Sequence, residues 1–166
     1  KELLDGIGID LSDIVPGSPQ SEKVKVALIN RDMWSQYLEV GIGPDAEIFS
    51  KAQPMSAVGF GAMIGIHPMS NWNNPEPEVV LVGNKEGKIV GAALGNDVNL
   101  RDVEGRSALL LGRAKDNNGS CAIGPFIRLI DKNFSLYDLR NAYVSLIVEG
   151  TDNFRLEDGS SMTEIS

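Results

Sequence analysis

Glu76 and Glu78 stand on either side of Pro77, directly ahead of the apolar run VVLV. On a β-strand, residues i and i+2 point to the same face, so this spacing predicts that the two carboxylates lie side by side. Two carboxylates that close repel each other unless one is protonated or a cation lies between them. The pair therefore predicts either a cation site or an acidic strand end exposed to solvent.

A third carboxylate returns to the same place if the next segment forms a hairpin. The runs EPEVVLVGN and KIVGAALGND are both typical of strands, and the residues KEG between them are typical of a turn. A two-residue turn would give two facing pairs, Glu78 with Gly95 and Glu76 with Asp97. A three-residue turn would shift this register by one residue.

Three carboxylates with no histidine beside them form an all-oxygen ligand set. Such a set is typical of Mg²⁺, with Mn²⁺ or Ca²⁺ as substitutes, rather than of zinc. Mg²⁺ usually keeps several water ligands, so a site with three protein ligands leaves positions for a bidentate substrate. The alternative is that a solvated strand end carries acidic residues by chance, and the spacing alone does not decide between the two.

Four further residues could contribute chemistry near these carboxylates. His67, the only histidine, could act as a general base near neutral pH or be an ordinary loop residue. Arg101 and Lys115 are the cations close in sequence to Asp97, and either could neutralise the carboxylates or hold a substrate carboxylate. Cys121 precedes an apolar run and is predicted to be a small buried residue, because a nucleophilic thiol needs an electropositive setting.

The elements that must position these residues are mostly strands. Eighteen glycines and eight prolines divide the chain into short pieces, which favours a β-rich fold. We predict one surface helix within residues 21–38, with Ser21 as its N-cap and its end near Asn30. The remaining predictions are a short strand at 46–51, a loop at 55–70, a helical turn at 100–104, a loop leading to Lys115, and strands in CAIGPFIRLID, AYVSLIVEG and FRLEDG.

The composition limits the class of protein. The chain has 166 residues, of which 42% are apolar and 23% charged, as in an ordinary globular domain. Acidic residues number 23 against 15 basic ones, with no dense basic block, which argues against nucleic acid or an anionic membrane as a partner. No run approaches the roughly 20 apolar residues of a spanning helix, and no signal peptide is visible. A single cysteine favours a reducing cytoplasm.

Three segments, in order, resemble the signature of the fumarylacetoacetate hydrolase family: NNPEPEVVLV, GNDVNLRD and AKDNNGSCAIGP. They match a Glu-x-Glu strand, an Asn-Asp-x-x-x-Arg-Asp segment, and a lysine shortly before an Ile-Gly-Pro strand. Within that family the chain most resembles the bacterial 2-keto-3-deoxy-D-xylonate dehydratases of pentose degradation. The resemblance runs from about Leu11 onward and is densest from Trp34 to Leu129.

The resemblance implies a metal-dependent lyase. Its reaction would eliminate water from a 2-keto-3-deoxy sugar acid, such as 2-keto-3-deoxy-D-xylonate, to give a 2-oxo acid semialdehyde. The cofactor would be Mg²⁺, and its implied ligands are Glu76, Glu78 and Asp97. Arg101 and Lys115 are implied to lie in the active site, where they contact substrate or move a proton. Lys51 resembles another family lysine near the substrate pocket.

The implied fold is mainly β, in the α+β class. It is a mixed, mostly antiparallel β-sandwich or roll of the fumarylacetoacetate hydrolase C-terminal domain type, with few short helices. Residues 1–20 are then a linker or the end of a preceding region, and residues 21–166 are the catalytic domain, which lacks some C-terminal strands of the family. We expect a homodimer or a higher homo-oligomer that takes a small 2-oxo acid as substrate.

The base and the reaction type stay open at this point. Lys115 is the first candidate for removing a C3 proton of the substrate, provided that its pKa is lowered enough to make it neutral, and His67 is the second. The same metal site could instead hydrolyse an acylpyruvate or another 1,3-diketone acid, or decarboxylate a 2-oxo diacid. Hydrolysis typically uses a His/Glu pair, and His67 has no glutamate within several residues. A catalytically silent binding module is the third alternative.

Overall fold

The computed structural model describes residues 14–164. The chain divides into two compact units, Lys1–Phe49 and Ser50–Ser166. Residues 1–13, most of the predicted linker region 1–20, lie outside the described residues. The boundary predicted at residue 20 therefore stays a prediction.

The first unit contains two helices, α1 (Pro19–Ile29) and α2 (Gln36–Ile42). The predicted surface helix is confirmed as α1, but its N-cap is Ser18 and not Ser21. The Ser18 hydroxyl accepts a hydrogen bond from the Ser21 amide at 3.2 Å. Pro19 takes the first helical position, where no N–H donor is needed.

The strand predicted at residues 46–51 is wrong, because these residues form no ladder with any strand in the described part of the chain. Apolar side chains alone do not make a strand, since the backbone N–H and C=O groups need a neighbouring strand as partner. The division between the two units falls inside this segment.

The second unit is built from short strands. They are β1 (Ala57–Gly59), β2 (Asn73–Asn74), β3 (Pro77–Gly83), β4 (Ile89–Asp97), β5 (Asn99–Leu100), β6 (Cys121–Leu129), β7 (Tyr143–Glu149) and β8 (Arg155–Ser161). Four of them form one sheet in the order β1-β6-β4-β3, in which only β1 and β6 are parallel. β2 pairs with β5, and β7 with β8, both antiparallel. The predicted mixed, mostly antiparallel fold is confirmed.

β3 and β4 form the predicted hairpin, and the register at its open end is the predicted one. Glu78 pairs with Gly95. Two residue pairs further out, beyond Pro77 and Asn96, the Asp97 amide donates a hydrogen bond to the Glu76 carbonyl at 2.9 Å. The hairpin therefore brings the third carboxylate to the first two, as the strand pattern predicts.

The turn of this hairpin has three residues, so the two-residue turn is wrong. The Asn84 amide donates to the Lys88 carbonyl at 2.9 Å, and Gly87 takes a left-handed conformation with φ of 76°. The one-residue shift that this turn introduces is cancelled by a register shift between Val82 and Gly83. The bulge thus restores the register on which the site depends.

Short helices carry the residues that follow β5. They are α3 (Arg101–Glu104), a 3₁₀ turn (Ala108–Leu110), α4 (Leu111–Lys115) and, before β7, α5 (Leu136–Arg140). The predicted helical turn is confirmed as α3, whereas the predicted loop before Lys115 is wrong, because Lys115 ends a helix. Leu100, Val103 and Ala114 are almost completely buried together and pack α3 against α4. This small core fixes the position of the neighbouring Lys115.

Within residues 14–164, no helix has the length and apolar character needed to cross a membrane. The segment 55–70, predicted as a loop, is mostly irregular, but its residues 57–59 form β1 against β6.

Candidate metal centre

Glu76, Glu78 and Asp97 form a carboxylate cluster in which one oxygen of each residue lies within 4.8 Å of the others. Glu76 directly precedes β3, Glu78 lies near its start, and Asp97 ends β4. Pro77 begins β3, which is an edge strand of the sheet, so its missing N–H leaves no ladder bond unmade. Asp97 is buried, Glu76 is half-buried and Glu78 is the most exposed of the three, although its carboxylate is partly desolvated.

Amide side chains orient Glu76. Asn99 Nδ2 donates to Glu76 Oε1 at 3.0 Å, and Asn74 Nδ2 donates to the same oxygen at 3.4 Å. The pairing of β2 with β5 places Asn74 opposite Asn99, so both amides reach Glu76 from one face. The Glu76 amide donates to Asn96 Oδ1 at 3.1 Å. These bonds leave Glu76 Oε2 to contact the Lys115 ammonium.

Lys115 lies among carboxylates. Its side chain is 6% exposed, and its ammonium contacts Glu76, Asp97 Oδ2 at 3.2 Å and Glu104 Oε1 at 3.9 Å. Burial acts to lower the pKa of Lys115, but the hydrogen bond to Glu76 and the negative charge of Asp97 outweigh it and hold the pKa above its usual value. This arrangement favours the ammonium form over the neutral amine that proton abstraction requires.

Asp97 has one oxygen with unused coordinating capacity. Lys115 binds Oδ2, while the Lys51 ammonium lies 2.9 Å from Oδ1. Yet Oδ1, although buried, accepts no hydrogen bond from any described residue. A buried acceptor without a donor is unfavourable unless something else binds it. This oxygen, in an all-oxygen donor set, fits a hard divalent cation such as Mg²⁺.

The pKa of Glu78 is affected by the negative charges around it. Its pKa is raised above the usual value, first by burial and then by the charges of Asp97 and Glu76. A divalent cation placed among the three carboxylates would relieve this repulsion. Both the Asp97 oxygen that accepts no hydrogen bond and the raised pKa of Glu78 therefore fit the predicted cation site.

Glu104 and Asn99 belong to the same network, although no motif in the sequence points to them. Glu104 Oε2 accepts hydrogen bonds from Asn99 Nδ2 and Arg101 Nη1, each at 2.6 Å. Burial raises the pKa of Glu104, but these bonds and the charge of Lys115 outweigh burial and hold the pKa below its usual value. The i,i+3 spacing of Arg101 and Glu104 on α3 is the one sequence signal for this pair.

Of the other predicted site residues, two are connected to the carboxylate cluster and one is not. Lys51 joins it through Asp97, and Arg101 joins it through Glu104. His67 Nδ1 accepts a hydrogen bond from the Met69 amide at 3.2 Å, and within residues 14–164 no ion pair or hydrogen bond joins its side chain to the three carboxylates. Its role as a base therefore stays a prediction.

Cys121 lies directly opposite Asp97 in the register of β4 and β6. Burial is the largest influence and raises the pKa of its thiol; the charge of Lys51 lowers it, and the charges of Asp97 and Glu78 raise it, so that the pKa stays above its usual value. A thiol with a raised pKa is a poor nucleophile. Cys121 is half-buried, so the small buried residue that the sequence predicts is only partly covered.

Asp102 fixes the loop that leads into β2. Ser70 Oγ donates to Oδ1 at 2.5 Å, and the Asn71 amide donates to Oδ2 at 3.0 Å. These two bonds hold the pKa of Asp102 below its usual value. The stabilisation is complete above the ordinary aspartate pKa and is lost as the pH falls through the lowered pKa of the folded protein.

We expect Asp102→Ala to accelerate hydrogen exchange at the Asn71 amide at neutral pH, because this amide loses its acceptor. Exchange measured by NMR or mass spectrometry checks this, with an amide in β6 as internal control. Unchanged protection of Asn71 in the variant would contradict the role given to Asp102.

No protein-family model matches the chain. Curated relatives do match it. It is 41% identical over 93 residues to the 2-dehydro-3-deoxy-D-arabinonate dehydratase of Saccharolobus solfataricus, covering 56% of this chain and 31% of the relative. It is 32% identical over 133 residues to the "Probable 2-keto-3-deoxyxylonate dehydratase" of Haloferax volcanii, covering 80% of this chain and 45% of the relative. The chain thus spans less than half the length of these relatives.

Solved structures of similar proteins share the fold. A hexagonal crystal form of 2-keto-3-deoxyarabinonate dehydratase matches with a TM-score of 0.71 and 32% identity, covering 78% of this chain and 43% of that one. 2-Keto-3-deoxy-D-arabinonate dehydratase complexed with magnesium and 2,5-dioxopentanoate matches with a TM-score of 0.66 and 30% identity, covering 78% and 45%. A fumarylacetoacetate isomerase/hydrolase-type protein of Oleispira antarctica, at 24% identity and a TM-score of 0.51 over 71% of this chain and 56% of that one, shows the fold alone.

The fold is therefore that of the fumarylacetoacetate hydrolase-type proteins. Within this class, the chain is a homologue of the 2-keto-3-deoxy-arabinonate and -xylonate dehydratases. The resemblance predicted from the sequence is confirmed.

Proposed function

We propose that the protein is a Mg²⁺-dependent dehydratase that eliminates water from a 2-keto-3-deoxy sugar acid such as 2-keto-3-deoxy-D-xylonate. The observation that carries this proposal is the carboxylate cluster, whose buried Asp97 has an oxygen that accepts no hydrogen bond from the described residues. The homology to dehydratases, one of them solved with magnesium and 2,5-dioxopentanoate, supports the choice of reaction.

Glu76, Glu78 and Asp97 would hold the Mg²⁺ through one oxygen each. When bound there, Mg²⁺ supplies Lewis-acid polarisation of the 2-oxo group, which makes the C3 protons of the substrate more acidic. The asparagine amides on Glu76 keep its carboxylate in a fixed direction, as ligands of a metal require.

Lys115 and Arg101 would act on the substrate as cations. The ammonium of Lys115 is held beside Glu76 and Asp97, where it can stabilise negative charge that develops on the substrate during loss of a C3 proton. The Arg101 guanidinium is half-exposed and is held by Glu104, so it can bind the substrate carboxylate. The ammonium form of Lys115 belongs to the metal-free site, and Mg²⁺ on Glu76 and Asp97 would offset the charges that favour it, so Lys115 and His67 both stay predicted bases.

In the proposed reaction the substrate loses one proton from C3 and the hydroxyl group from C4, which together make up one molecule of water. The base takes a proton from C3, the C4 hydroxyl leaves as water after it gains a proton, and a C3–C4 double bond forms. Tautomerisation then gives the 2-oxo acid semialdehyde. Lys115, as an ammonium beside the carboxylate cluster, is the proposed donor of that proton.

Other reactions on the same centre are the second candidates. Hydrolysis of an acylpyruvate or decarboxylation of a 2-oxo diacid would use the same three carboxylates, and a catalytically silent binding module would not turn over at all. No contact described for residues 14–164 joins His67 to a glutamate, which disfavours the His/Glu water activation typical of hydrolysis.

We expect the protein to convert 2-keto-3-deoxypentonates to a 2-oxo acid semialdehyde in the presence of Mg²⁺, and to lose this activity with EDTA and regain it with added Mg²⁺. Product detection by NMR or by a coupled aldehyde dehydrogenase checks this, with acylpyruvates and oxaloacetate as control substrates. Turnover of a control substrate without dehydration, or activity indifferent to chelation, would contradict the proposal.

We also propose a homodimer or higher homo-oligomer in a reducing cytoplasm. Leu94 on β4 and Phe126 and Leu129 on β6 expose 54%, 83% and 60% of their surface. Apolar side chains exposed on neighbouring strands are typical of surfaces that another subunit covers. The single cysteine supports a reducing compartment.

A further inference from the structure

We propose that Lys51 is a positioning residue of the metal centre and not a contact to the substrate. The inference rests on the proposed function, because it concerns how the Asp97 carboxylate is presented to Mg²⁺. It replaces the substrate-binding role that the family resemblance implies for this lysine.

All three N–H donors of the Lys51 ammonium are directed at protein acceptors. They bind the Val98 carbonyl at 2.7 Å, the Lys115 carbonyl at 2.5 Å and the Ser120 hydroxyl at 3.2 Å. A lysine ammonium has three donors and no acceptor, so this set is complete. The side chain is only 17% exposed. Lys51 therefore has no donor left with which to recognise a substrate oxygen.

The Lys51 ammonium compensates the charge of the buried Asp97 carboxylate. Lys51 Nζ lies 2.9 Å from Asp97 Oδ1, but that oxygen accepts no hydrogen bond from the described residues. The attraction between the charges offsets the burial of Asp97, while the lone pairs of Oδ1 stay available to a cation. Lys115 binds the other oxygen, Oδ2, at 3.2 Å. The carboxylate is thus fixed between two ammonium groups with one coordinating oxygen spare.

Lys51 also connects the two elements that carry Asp97 and Lys115. Val98 directly follows β4, and Lys115 is the last residue of α4, where helix carbonyls have no helical donor and carry partial negative charge. Ser120, completely buried, strengthens the junction, because its hydroxyl reaches the same Lys115 carbonyl at 3.1 Å. One ammonium therefore sets the separation between a metal ligand and the catalytic lysine.

The test is Lys51→Met, which keeps the length of the side chain and removes the ammonium, with Mn²⁺ as the probe. Free Mn²⁺ is counted by electron paramagnetic resonance, which does not depend on turnover. A positioning role predicts that Mn²⁺ binds about 10–100-fold more weakly, as for other residues that orient metal ligands, and that kcat falls with it. Mn²⁺ bound more tightly would overturn the inference, because it would show that Lys51 acts only as a competing charge. Unchanged Mn²⁺ affinity with a raised KM would also overturn it and would restore the substrate contact.

Two further variants complete the test. Lys85→Met makes the same charge change at a lysine whose side chain is 91% exposed, and it should leave Mn²⁺ affinity unchanged. Ser120→Ala removes one acceptor of Lys51 without burying or removing a charge, so it reports on the same junction even if Lys51→Met does not fold. A weakening by Ser120→Ala in the same direction supports the inference, and wild-type affinity in this variant contradicts it. Absence of Mn²⁺ binding in the wild-type protein would refute the proposed function itself, which separates the two failures.

Discussion

Glu78→Gln should abolish Mg²⁺-dependent turnover and at the same time raise the melting temperature of the metal-free protein. The pKa of Glu78 is raised by burial and by the charges of Asp97 and Glu76, so at neutral pH the ionised side chain lowers the stability of the fold. A neutral glutamine removes that repulsion. It also removes one of the three charges that we propose bind the cation. Lewis-acid catalysis is worth several kcal/mol, so we expect turnover to fall about a thousand-fold or more.

Asp97→Asn is the matched comparison for this prediction. It should abolish turnover in the same way but lower the metal-free melting temperature, because Asp97 pairs with both Lys51 and Lys115. Thermal melts in EDTA and in Mg²⁺, together with kcat/KM, separate the two variants. Repulsion among the three carboxylates alone would predict that both substitutions stabilise the metal-free protein. The ion pairs of Asp97 with Lys51 and Lys115 explain why we expect stabilisation only for Glu78→Gln. Wild-type activity in Glu78→Gln would show that the metal assignment is wrong.

Lys115→Met should have the second large effect, on both stability and activity. The ammonium lies among Glu76, Asp97 and Glu104, so its removal leaves buried carboxylates without their cation. Breaking a buried ionic network by removing one partner typically destabilises a fold by about 3–5 kcal/mol. If Lys115 transfers a proton as proposed, its loss lowers turnover by about 10²–10⁴-fold.

Added Mg²⁺ should return part of the stability of Lys115→Met, because the metal replaces the missing positive charge among the carboxylates. Urea unfolding in EDTA and in Mg²⁺ measures this difference. Lys115→Arg is the control, since it keeps the charge but changes the geometry of the donors. Normal turnover in both variants would exclude Lys115 from the active site, and equal stability of Lys115→Met and wild type would contradict the ionic network.

The part of the site that depends on strand geometry could be predicted from the sequence. The alternation of residues along β3 and β4 places Glu76, Glu78 and Asp97 on one face, and the observed register agrees. The turn length could not be predicted, because a bulge at Val82 and Gly83 cancels the shift of the longer turn. The two deviations lie far from the carboxylates and leave the cluster as expected.

The network around the cluster depends on packing that no local pattern encodes. Asn99 and Glu104 meet Glu76 and Lys115 only because the core of Leu100, Val103 and Ala114 places α3 and α4 together. Lys51 is far from Asp97 along the chain, and its three carbonyl and hydroxyl partners are visible only in the fold. The strand wrongly predicted at 46–51 fails for the same reason, since its partner strand does not exist in the described chain.

Anomalous scattering from crystals of the protein grown with Mn²⁺ tests the metal centre most directly. Our account predicts a peak within coordinating distance of one oxygen each from Glu76, Glu78 and Asp97, and its loss in Glu78→Gln crystals. A peak on other residues, or no peak between these three carboxylates at saturating Mn²⁺, would contradict the assignment.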